Sequence, residues 1–213
     1  MKKFLKIAGV IIGIIVLGGV TFLGVLISKM PDQSEFSQLQ VPRIVEKPNT
    51  NALMVSFDGD PNRVIEEAYG SLFKAYYSTG FVSKIFNPVP PIARYEFFDE
   101  LLAKVTEGDL KSMDWKGFVA VPLSNDDLEF PEEAKSGSYP VSLSTLKYGT
   151  VAEIMHFGPY ETEQPTIKKL LDFIEDNGYQ IAGLHEEEYI RGPGTPFTDP
   201  EDYITIIRYQ VKR

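Results

Sequence analysis

The stretch Val151–Tyr160, VAEIMHFGPY, decides the fold, because an apolar strand runs into a Gly-Pro turn with an aromatic residue directly after it. Beyond this turn, four apolar residues recur at the i, i+3, i+4, i+7 spacing of a buried helix face: Ile167, Leu170, Leu171 and Ile174. The spacing predicts a helix from about Pro165 to Asn177. Proline suits a first helical turn, and Gly178 suits the left-handed residue that follows a last turn.

The same order of features occurs earlier in the chain, which indicates an internal duplication. The strand Ala52–Phe57 leads through a turn at Gly59 into a helix predicted from about Asn62 to Tyr77, which ends at Gly80-Phe81. The turn glycine and the glycine after the helix are separated by nearly the same length in both copies. Two further strands are predicted after each helix: Ile92–Phe98, Gly117–Leu123, Leu184–Ile190 and Tyr203–Val211.

These units predict an α+β fold, in which two strand–helix–strand–strand repeats form one antiparallel-rich sheet with the helices on one face. The repeats should span about residues 51–123 and 139–213 of a domain that covers residues 51–213. An acidic stretch between them, residues 124–138, is the predicted connector. Residues 31–50 contain three prolines and no apolar period, so we expect an extended and poorly packed linker there.

The first thirty residues form a separate segment. No charged residue occurs between Ile7 and Ile27, and nearly every position is apolar, which predicts a retained transmembrane anchor at residues 4–28. Cleavage as a signal peptide is the alternative, although no small-x-small cleavage site follows the span. Three lysines precede the span and one follows it directly. We therefore expect a single-pass membrane protein with a cytoplasmic N-terminus and an extracytoplasmic soluble domain.

The soluble part of the chain is acidic. Four of the 21 basic residues and none of the 30 acidic residues lie in the first thirty positions, so the remainder carries 17 basic and 30 acidic residues, a net charge of −13. We therefore expect no nucleic-acid partner. The chain has no cysteine, which excludes disulfides, thiol catalysis and thiolate metal sites.

Glu187 and Tyr189 are the central site candidates. They lie two positions apart in a predicted strand, so their side chains leave the same face of the sheet. If that face is covered, Glu187 is a buried carboxylate, and a cationic aromatic ligand would relieve the free-energy cost of burying it. The alternative is a solvated acidic turn, since Glu186, Glu187 and Glu188 follow one another.

Three aromatic residues are further candidates for the pocket: Tyr95, Trp115 and Tyr160. Ordinary core or edge packing is the alternative for Trp115, and core packing is the alternative for Tyr160. The two histidines do not predict a metal site, because position 189 of His185-Glu186-Glu187 is a tyrosine and the HExxH spacing is absent. The serines near Ser142 have no base at catalytic spacing, so nothing predicts a serine nucleophile.

In their order, these features resemble the GyrI-like small-molecule-binding domain, which is the effector-binding domain of AraC-type and MerR-type multidrug-sensing activators and is related to the SOUL proteins. The matching residues of the second copy are Tyr148-Gly149, Val151-Ala152, His156–Tyr160, Asn177–Tyr179, Glu187-x-Tyr189 and Pro200–Asp202. The first copy matches less well, at Gly59, Gly80-Phe81 and Pro91–Tyr95. The resemblance implies that Glu187 and Tyr189 line a ligand pocket. An anchor stands where those activators carry a DNA-binding domain, so transcriptional function is not carried over.

Residues and resemblance together lead to three hypotheses. The first is a membrane-tethered domain that captures a small aromatic or cationic molecule without a cofactor. The second is a hydrolase acting on cyclopropanoid or other electrophilic toxins, as some GyrI-like domains resemble, with Glu187 and Tyr189 as acid–base groups. The sequence does not separate binding from hydrolysis. The third is a protein-interaction module, as in the gyrase-inhibitor members; tetrapyrrole binding, as in SOUL proteins, is a weaker variant.

Overall fold

The computed structural model describes residues 31, 33–80, 84, 88–96, 114–123, 130–193, 195 and 198–213. The transmembrane anchor predicted at residues 4–28 lies outside these ranges. Among the residues that the structure describes, no helix combines the length and the apolar character that crossing a bilayer requires.

One eight-stranded sheet, antiparallel at every described pairing, forms the frame of the described chain. Its strands are β1 (Arg43–Lys47), β2 (Thr50–Gly59), β3 (Ile92–Tyr95), β4 (Trp115–Pro122), β5 (Ser142–Leu146), β6 (Gly149–Phe157), β7 (Gln180–Arg191) and β8 (Ile204–Lys212). Across the sheet they follow the order β1-β6-β8-β7-β3-β4-β2-β5. The α+β class and the antiparallel sheet predicted from the sequence are confirmed.

Two helices cover the same face of this sheet, which we call the helix face. Helix α1 (Pro61–Ser78) begins after Asp60, whose carboxylate accepts a hydrogen bond of 3.0 Å from the Asn62 amide, and it buries an apolar stripe against β2 and β4. Helix α2 (Gln164–Asp176) buries Ile167, Leu170 and Ile174 against β6 and β8. These residues belong to the predicted stripe; Leu171, its fourth member, is half-buried beside them.

The arrangement of strands is consistent with the duplication. One unit is β2-α1-β3-β4 and the other is β6-α2-β7-β8, and in each unit a glycine with positive φ ends the first strand or follows it: Gly59 at 136° and Gly158 at 120°. The units meet where β3 pairs with β7. Each unit is also extended by an edge strand that precedes the other unit in the chain, because β1 pairs with β6 and β5 pairs with β2.

The edge strand β1 shows that the predicted linker was wrong in its packing. Within residues 31–50, a 3₁₀ helix covers Gln33–Leu39 and buries Leu39 against Met155, Ile204 and Ile206, while β1 joins the sheet. The apolar residues of this segment are too few to show a period, but their burial against a preformed sheet stabilises them. Strand β5 was also not predicted; it is short and lies at the other edge.

Candidate ligand-binding site

Strand β7 presents alternate side chains to the two faces of the sheet, and this alternation separates three consecutive glutamates. His185, Glu187 and Tyr189 lie on the helix face, whereas Glu186 and Glu188 lie on the opposite face. The separation is visible in their contacts, since Glu187 bonds to the helix-face residues His185 and Tyr189 while Glu186 and Glu188 bond to arginines. The alternative of a solvated acidic turn is therefore incorrect, because all three lie in a paired central strand.

A continuous hydrogen-bond network surrounds Glu187 on the helix face. The Nε2–H of His185 donates to Glu187 Oε1 at 2.8 Å, and the Tyr189 hydroxyl donates to Glu187 Oε2 at 2.5 Å. Further out, the Tyr95 and Tyr189 hydroxyls are 2.7 Å apart, and the Tyr209 hydroxyl lies 2.9 Å from His185 Nδ1. The sheet register places these residues together, because His185 is the partner of Tyr95 on β3 and of Tyr209 on β8.

The imidazole of His185 is held on both sides. Its Nε2–H donates to Glu187, and its Nδ1 lies within hydrogen-bond distance of the Tyr209 hydroxyl. Both oxygens of Glu187 thus receive one hydrogen bond each. The carboxylate is held in one orientation by donors on two sides, and no other hydrogen bond to it comes from the described residues.

Aromatic rings line the space around this carboxylate. Trp115 packs edge-on against Tyr95 with ring centroids 5.4 Å apart, and Tyr160 packs edge-on against Tyr189 at 5.7 Å. From helix α1, Tyr69 approaches Tyr189 at 6.4 Å. The rings come from both repeats, so the second repeat supplies the carboxylate and the two repeats together supply the walls.

Burial and the charge of Glu187 act together on the surrounding phenols. Burial first, and then the negative charge of Glu187, raise the pKa values of Tyr69, Tyr95 and Tyr189 well above the ordinary value of tyrosine, and they raise that of Tyr160 as well. These hydroxyls therefore remain protonated over the physiological range and act as donors. No lysine or arginine of the described chain forms an ion pair with Glu187.

Several buried polar atoms around Glu187 have no hydrogen-bond partner among the described residues: Tyr69 Oη, Trp115 Nε1, Glu163 Oε1 and Thr205 Oγ1. The Tyr69 hydroxyl faces that of Tyr189, and the Glu163 carboxyl faces Thr205, but neither pair reaches hydrogen-bonding geometry. Buried polar groups are normally satisfied, by protein or by water. A group of unsatisfied atoms around one carboxylate indicates a place that a polar molecule can occupy.

The opposite face of β7 is built in another way. Arg208 donates to Glu153 at 2.6 Å, to Glu188 at 2.5 Å and to Glu186 at 3.2 Å, and Arg94 donates to Glu186 at 2.7 Å. Five side chains form this network, and all of them except Glu188 are at most 10 % exposed. Glu153, Glu186 and Glu188 therefore each have a guanidinium partner inside the protein.

The structure brings all five predicted site residues together. Glu187, Tyr189 and Tyr95 form one chain of hydrogen bonds, and Trp115 and Tyr160 pack against its two tyrosines. Sequence reasoning missed four neighbours: Tyr69, Glu163, His185 and Tyr209. His185 could have been found from the same two-residue period that selected Glu187 and Tyr189. Tyr69 and Glu163 carry no such signal, because they reach the site from helix α1 and from the turn before α2.

An open groove and the second histidine, His156, are weaker candidates for a functional site. An open groove elsewhere is lined by Ser56, Phe130, Lys135, Pro140, Val141, Ser142 and Leu143, with no buried acid among its lining residues. No group of three or more potential metal ligands occurs among the described residues. His156, the second histidine, is held by Thr166 Oγ1 at 3.0 Å and by the Pro159 carbonyl at 3.1 Å, and burial lowers its pKa.

A buried acid ringed by aromatic side chains, on a duplicated α+β sheet, defines a domain of the small-molecule-binding class. The family model for the GyrI-like small molecule binding domain matches residues 40–212, so the chain belongs to this family. The match begins before the predicted domain start at residue 51 and includes β1. No curated protein matches the chain.

Solved structures share the fold at low sequence identity. A hydrolase from Listeria innocua is 20 % identical, with 84 % of this chain and 96 % of that chain covered and a TM-score of 0.63. An uncharacterized conserved protein from the same organism is 21 % identical, with 85 % and 97 % covered and a TM-score of 0.63. The EcmrR C-terminal domain is 17 % identical, with 81 % and 97 % covered and a TM-score of 0.54. At these identities the similarity concerns the fold.

Proposed function

We propose that this protein captures a small aromatic or cationic molecule on the helix face, with Glu187 as the polar floor of the pocket. One observation carries the proposal: Glu187 is 6 % exposed, is oriented by two hydrogen-bond donors and has no lysine or arginine partner in the described chain. On the opposite face, its sequence neighbours have such partners. The missing positive charge is what a cationic ligand would supply.

The energetics favour a ligand that is both cationic and aromatic. A buried carboxylate without a counter-charge destabilises the protein, and a bound cation removes that cost. The rings of Tyr95, Trp115, Tyr160 and Tyr189 add stacking and cation–π attraction, which becomes stronger where water is excluded. Because His185 and Tyr189 already fix the carboxylate, little side-chain entropy is lost on binding.

Thermal unfolding of the detergent-purified full-length protein with tetraphenylphosphonium tests this function. At about 100 times its Kd a ligand raises the unfolding free energy by about 2.7 kcal/mol, which is roughly 5–10 °C in Tm. We expect Glu187→Gln to weaken binding by about tenfold or more, which corresponds to about 1.4 kcal/mol, because the cation loses its electrostatic attraction to a buried carboxylate.

Glu188→Gln is the matched control, because it removes the same charge one position away on the opposite face. It should keep the stabilisation by tetraphenylphosphonium. Equal stabilisation of the wild type and Glu187→Gln would show that Glu187 does not recognise charge. No stabilisation of the wild type by any lipophilic cation tested would overturn the proposed function itself.

We further propose that residues 4–28 tether this domain to a membrane with the domain on the extracytoplasmic side. The support is the uncharged apolar run and the excess of lysines before it. Extraction of membranes with carbonate should leave the protein in the pellet, and protease added to spheroplasts should digest the domain. Release by carbonate would contradict the anchor, and protection from protease would contradict the orientation.

Hydrolysis is the second candidate, and the short contact between Tyr189 and Glu187 favours it. A phenol 2.5 Å from a carboxylate that is also bonded to a histidine can act as a relay for general acid–base catalysis. Incubation with a cyclopropane-bearing electrophile should then give a ring-opened product that Tyr189→Phe fails to form. Recovery of unchanged compound from the wild type would leave binding as the function.

A further inference from the structure

Glu163 is a second buried acid near the pocket, in the turn between β6 and helix α2. It is 5 % exposed, and its Oε1 has no hydrogen-bond partner in the described chain. The backbone holds its position, since its amide donates to the Tyr160 carbonyl at 3.1 Å and its own carbonyl accepts from Thr166 and Ile167 at 2.9 Å. The side chain makes no capping hydrogen bond to the helix, so a capping role does not explain the carboxyl.

The surroundings of Glu163 are those of Glu187. The charge of Glu187 on β7 acts on Glu163, and Thr205 on β8, which is fully buried, faces it with an unsatisfied hydroxyl. The negative charge of Glu163, when it is ionised, in turn raises the pKa values of Tyr160 and Tyr95. The two carboxyls therefore belong to one electrostatic site, and each comes from a different element of the second repeat.

Burial, and next the negative charge of Glu187, raise the pKa of Glu163 to about 9. Glu161, which is exposed, adds in the same direction, and the neighbouring Thr205 hydroxyl acts against it. Near neutral pH Glu163 is thus a neutral carboxylic acid. A neutral acid with an unsatisfied oxygen is the arrangement that a second polar group of a ligand would complete.

We propose that Glu163 is a second ligand contact, which makes the pocket selective for aromatic molecules that carry two cationic N–H groups. This inference rests on the proposed function, since it assigns one of the two groups to Glu187. When the second ammonium or amidinium group reaches Glu163, the acid loses its proton to solvent and the carboxylate accepts an N–H hydrogen bond. The site gains one negative charge, which matches the second positive charge of the ligand.

Matched probes differing by one charge test the second contact. Wild-type protein, full-length and in detergent, is titrated calorimetrically at pH 7 with 4-methylbenzylamine and with the para and meta isomers of bis(aminomethyl)benzene. We expect one diamine isomer to bind about tenfold more tightly than the monoamine, which corresponds to about 1.4 kcal/mol. Titrations in two buffers of different ionisation enthalpy should show that about one proton is released with the diamine.

Glu163→Gln should abolish both the tenfold preference and the proton release, so that the diamine binds no more tightly than the monoamine. Glu163→Leu is the second variant. It should also abolish the preference and the proton release, because it too removes the carboxyl group. Glu161→Gln, which removes an exposed acid of the same turn, should keep the preference. A merely structural role of Glu163 would instead lower the affinities of both amines equally.

The outcomes separate the two proposals. Loss of tetraphenylphosphonium and monoamine binding in Glu187→Gln, with a diamine preference that survives Glu163→Gln, overturns the second contact and keeps the proposed function. Equal binding of diamines and monoamine by the wild type overturns it as well. Failure of the wild type to bind any of these cations overturns the proposed function and this inference with it.

Discussion

The two faces of strand β7 solve the same electrostatic problem in opposite ways. Glu186 and Glu188 point to one face, where Arg94 and Arg208 bind their carboxylates within 3.2 Å. Glu187 points to the other face, where its bonded neighbours are His185 and Tyr189. Three adjacent residues of one type thus have different surroundings, because a strand turns alternate side chains to opposite sides.

The comparison distinguishes a buried charge that stabilises the structure from one that can bind a ligand. A buried acid with a matched guanidinium is complete, and its network specifies packing and register. A buried acid with no lysine or arginine partner in the described chain keeps an attraction for a cation, which a ligand can supply. The first arrangement is typical of a structural element, and the second is typical of a site. The same kind of substitution should therefore change the free energy of unfolding by different amounts on the two faces.

The largest effect is expected from the removal of Arg208. Arg208 is 5 % exposed and bonds to three carboxylates, so Arg208→Met removes a charge-assisted bond from each of them and leaves Glu188 without a guanidinium partner in the described chain. We expect the free energy of unfolding to fall by about 3–5 kcal/mol. Urea denaturation followed by circular dichroism measures it. Arg43→Met is the control, since the Arg43 side chain is 34 % exposed and Glu153 keeps Arg208; it should cost about 1 kcal/mol or less.

The next effect compares two glutamates directly. Glu186→Gln breaks charge-assisted bonds to Arg94 and Arg208 and should lower the unfolding free energy by about 2–3 kcal/mol. Glu187→Gln replaces a carboxylate that has no guanidinium partner in the described chain, so we expect a change within about 1 kcal/mol. The same urea titrations measure both. A larger loss for Glu187→Gln than for Glu186→Gln would contradict the distinction between the faces.

The pH dependence of stability should also differ between the faces. The raised pKa of Glu163 means that the folded protein keeps a proton that the unfolded chain loses above its ordinary value of 4.5. Stability from this group is therefore complete below about 4.5 and is lost as the pH rises toward about 9. Chemical denaturation at pH 5, 7 and 9 should show a decline in the wild type that is smaller in Glu163→Gln.

Glu153 on the opposite face should act in the other direction. Burial alone would raise its pKa, but Arg208 and then Arg43 outweigh burial and lower it. Its contribution is present above the ordinary pKa and is lost as the pH falls through the lowered value. Glu163→Gln leaves this contribution and that of His156 unchanged, so the difference between the two proteins isolates Glu163. Parallel pH curves for wild type and variant would contradict a raised pKa.

The smallest effect on stability is expected from an exposed ion pair, which serves as a reference for the buried ones. Lys168 and Asp172 form an ion pair of 2.6 Å on the outer surface of helix α2, with side chains 73 % and 56 % exposed. Lys168→Ala should change the unfolding free energy by about 0.5 kcal/mol or less, because water screens exposed pairs. Thermal and urea unfolding should both show this. A loss comparable with that of Arg208→Met would mean that burial does not set the strength of these pairs.

Local pattern predicted much of the fold and of the site. The observed bounds of α1 and α2 differ by one residue at each end from those expected from apolar spacing, and Glu187 and Tyr189 share a face as the two-residue period requires. The edge strands β1 and β5 were not predicted, because each has only five residues. So short a segment does not show enough periodicity to distinguish a strand from an extended linker. The partners Tyr69 and Glu163 escaped because contacts between distant elements leave no periodic signal.

The sequence by itself determined both helices and most strands, the duplication and the side from which Glu187 leaves its strand, because these depend on local spacing and on the alternation of a strand. Only the tertiary structure decided that Glu186 and Glu188 meet arginines while Glu187 meets tyrosines. That outcome depends on the pairing of β7 with β3 and β8, which brings Arg94, Arg208 and Tyr95 from distant parts of the chain. Long-range pairing sets which charges are neutralised, and thereby which one is left for a ligand.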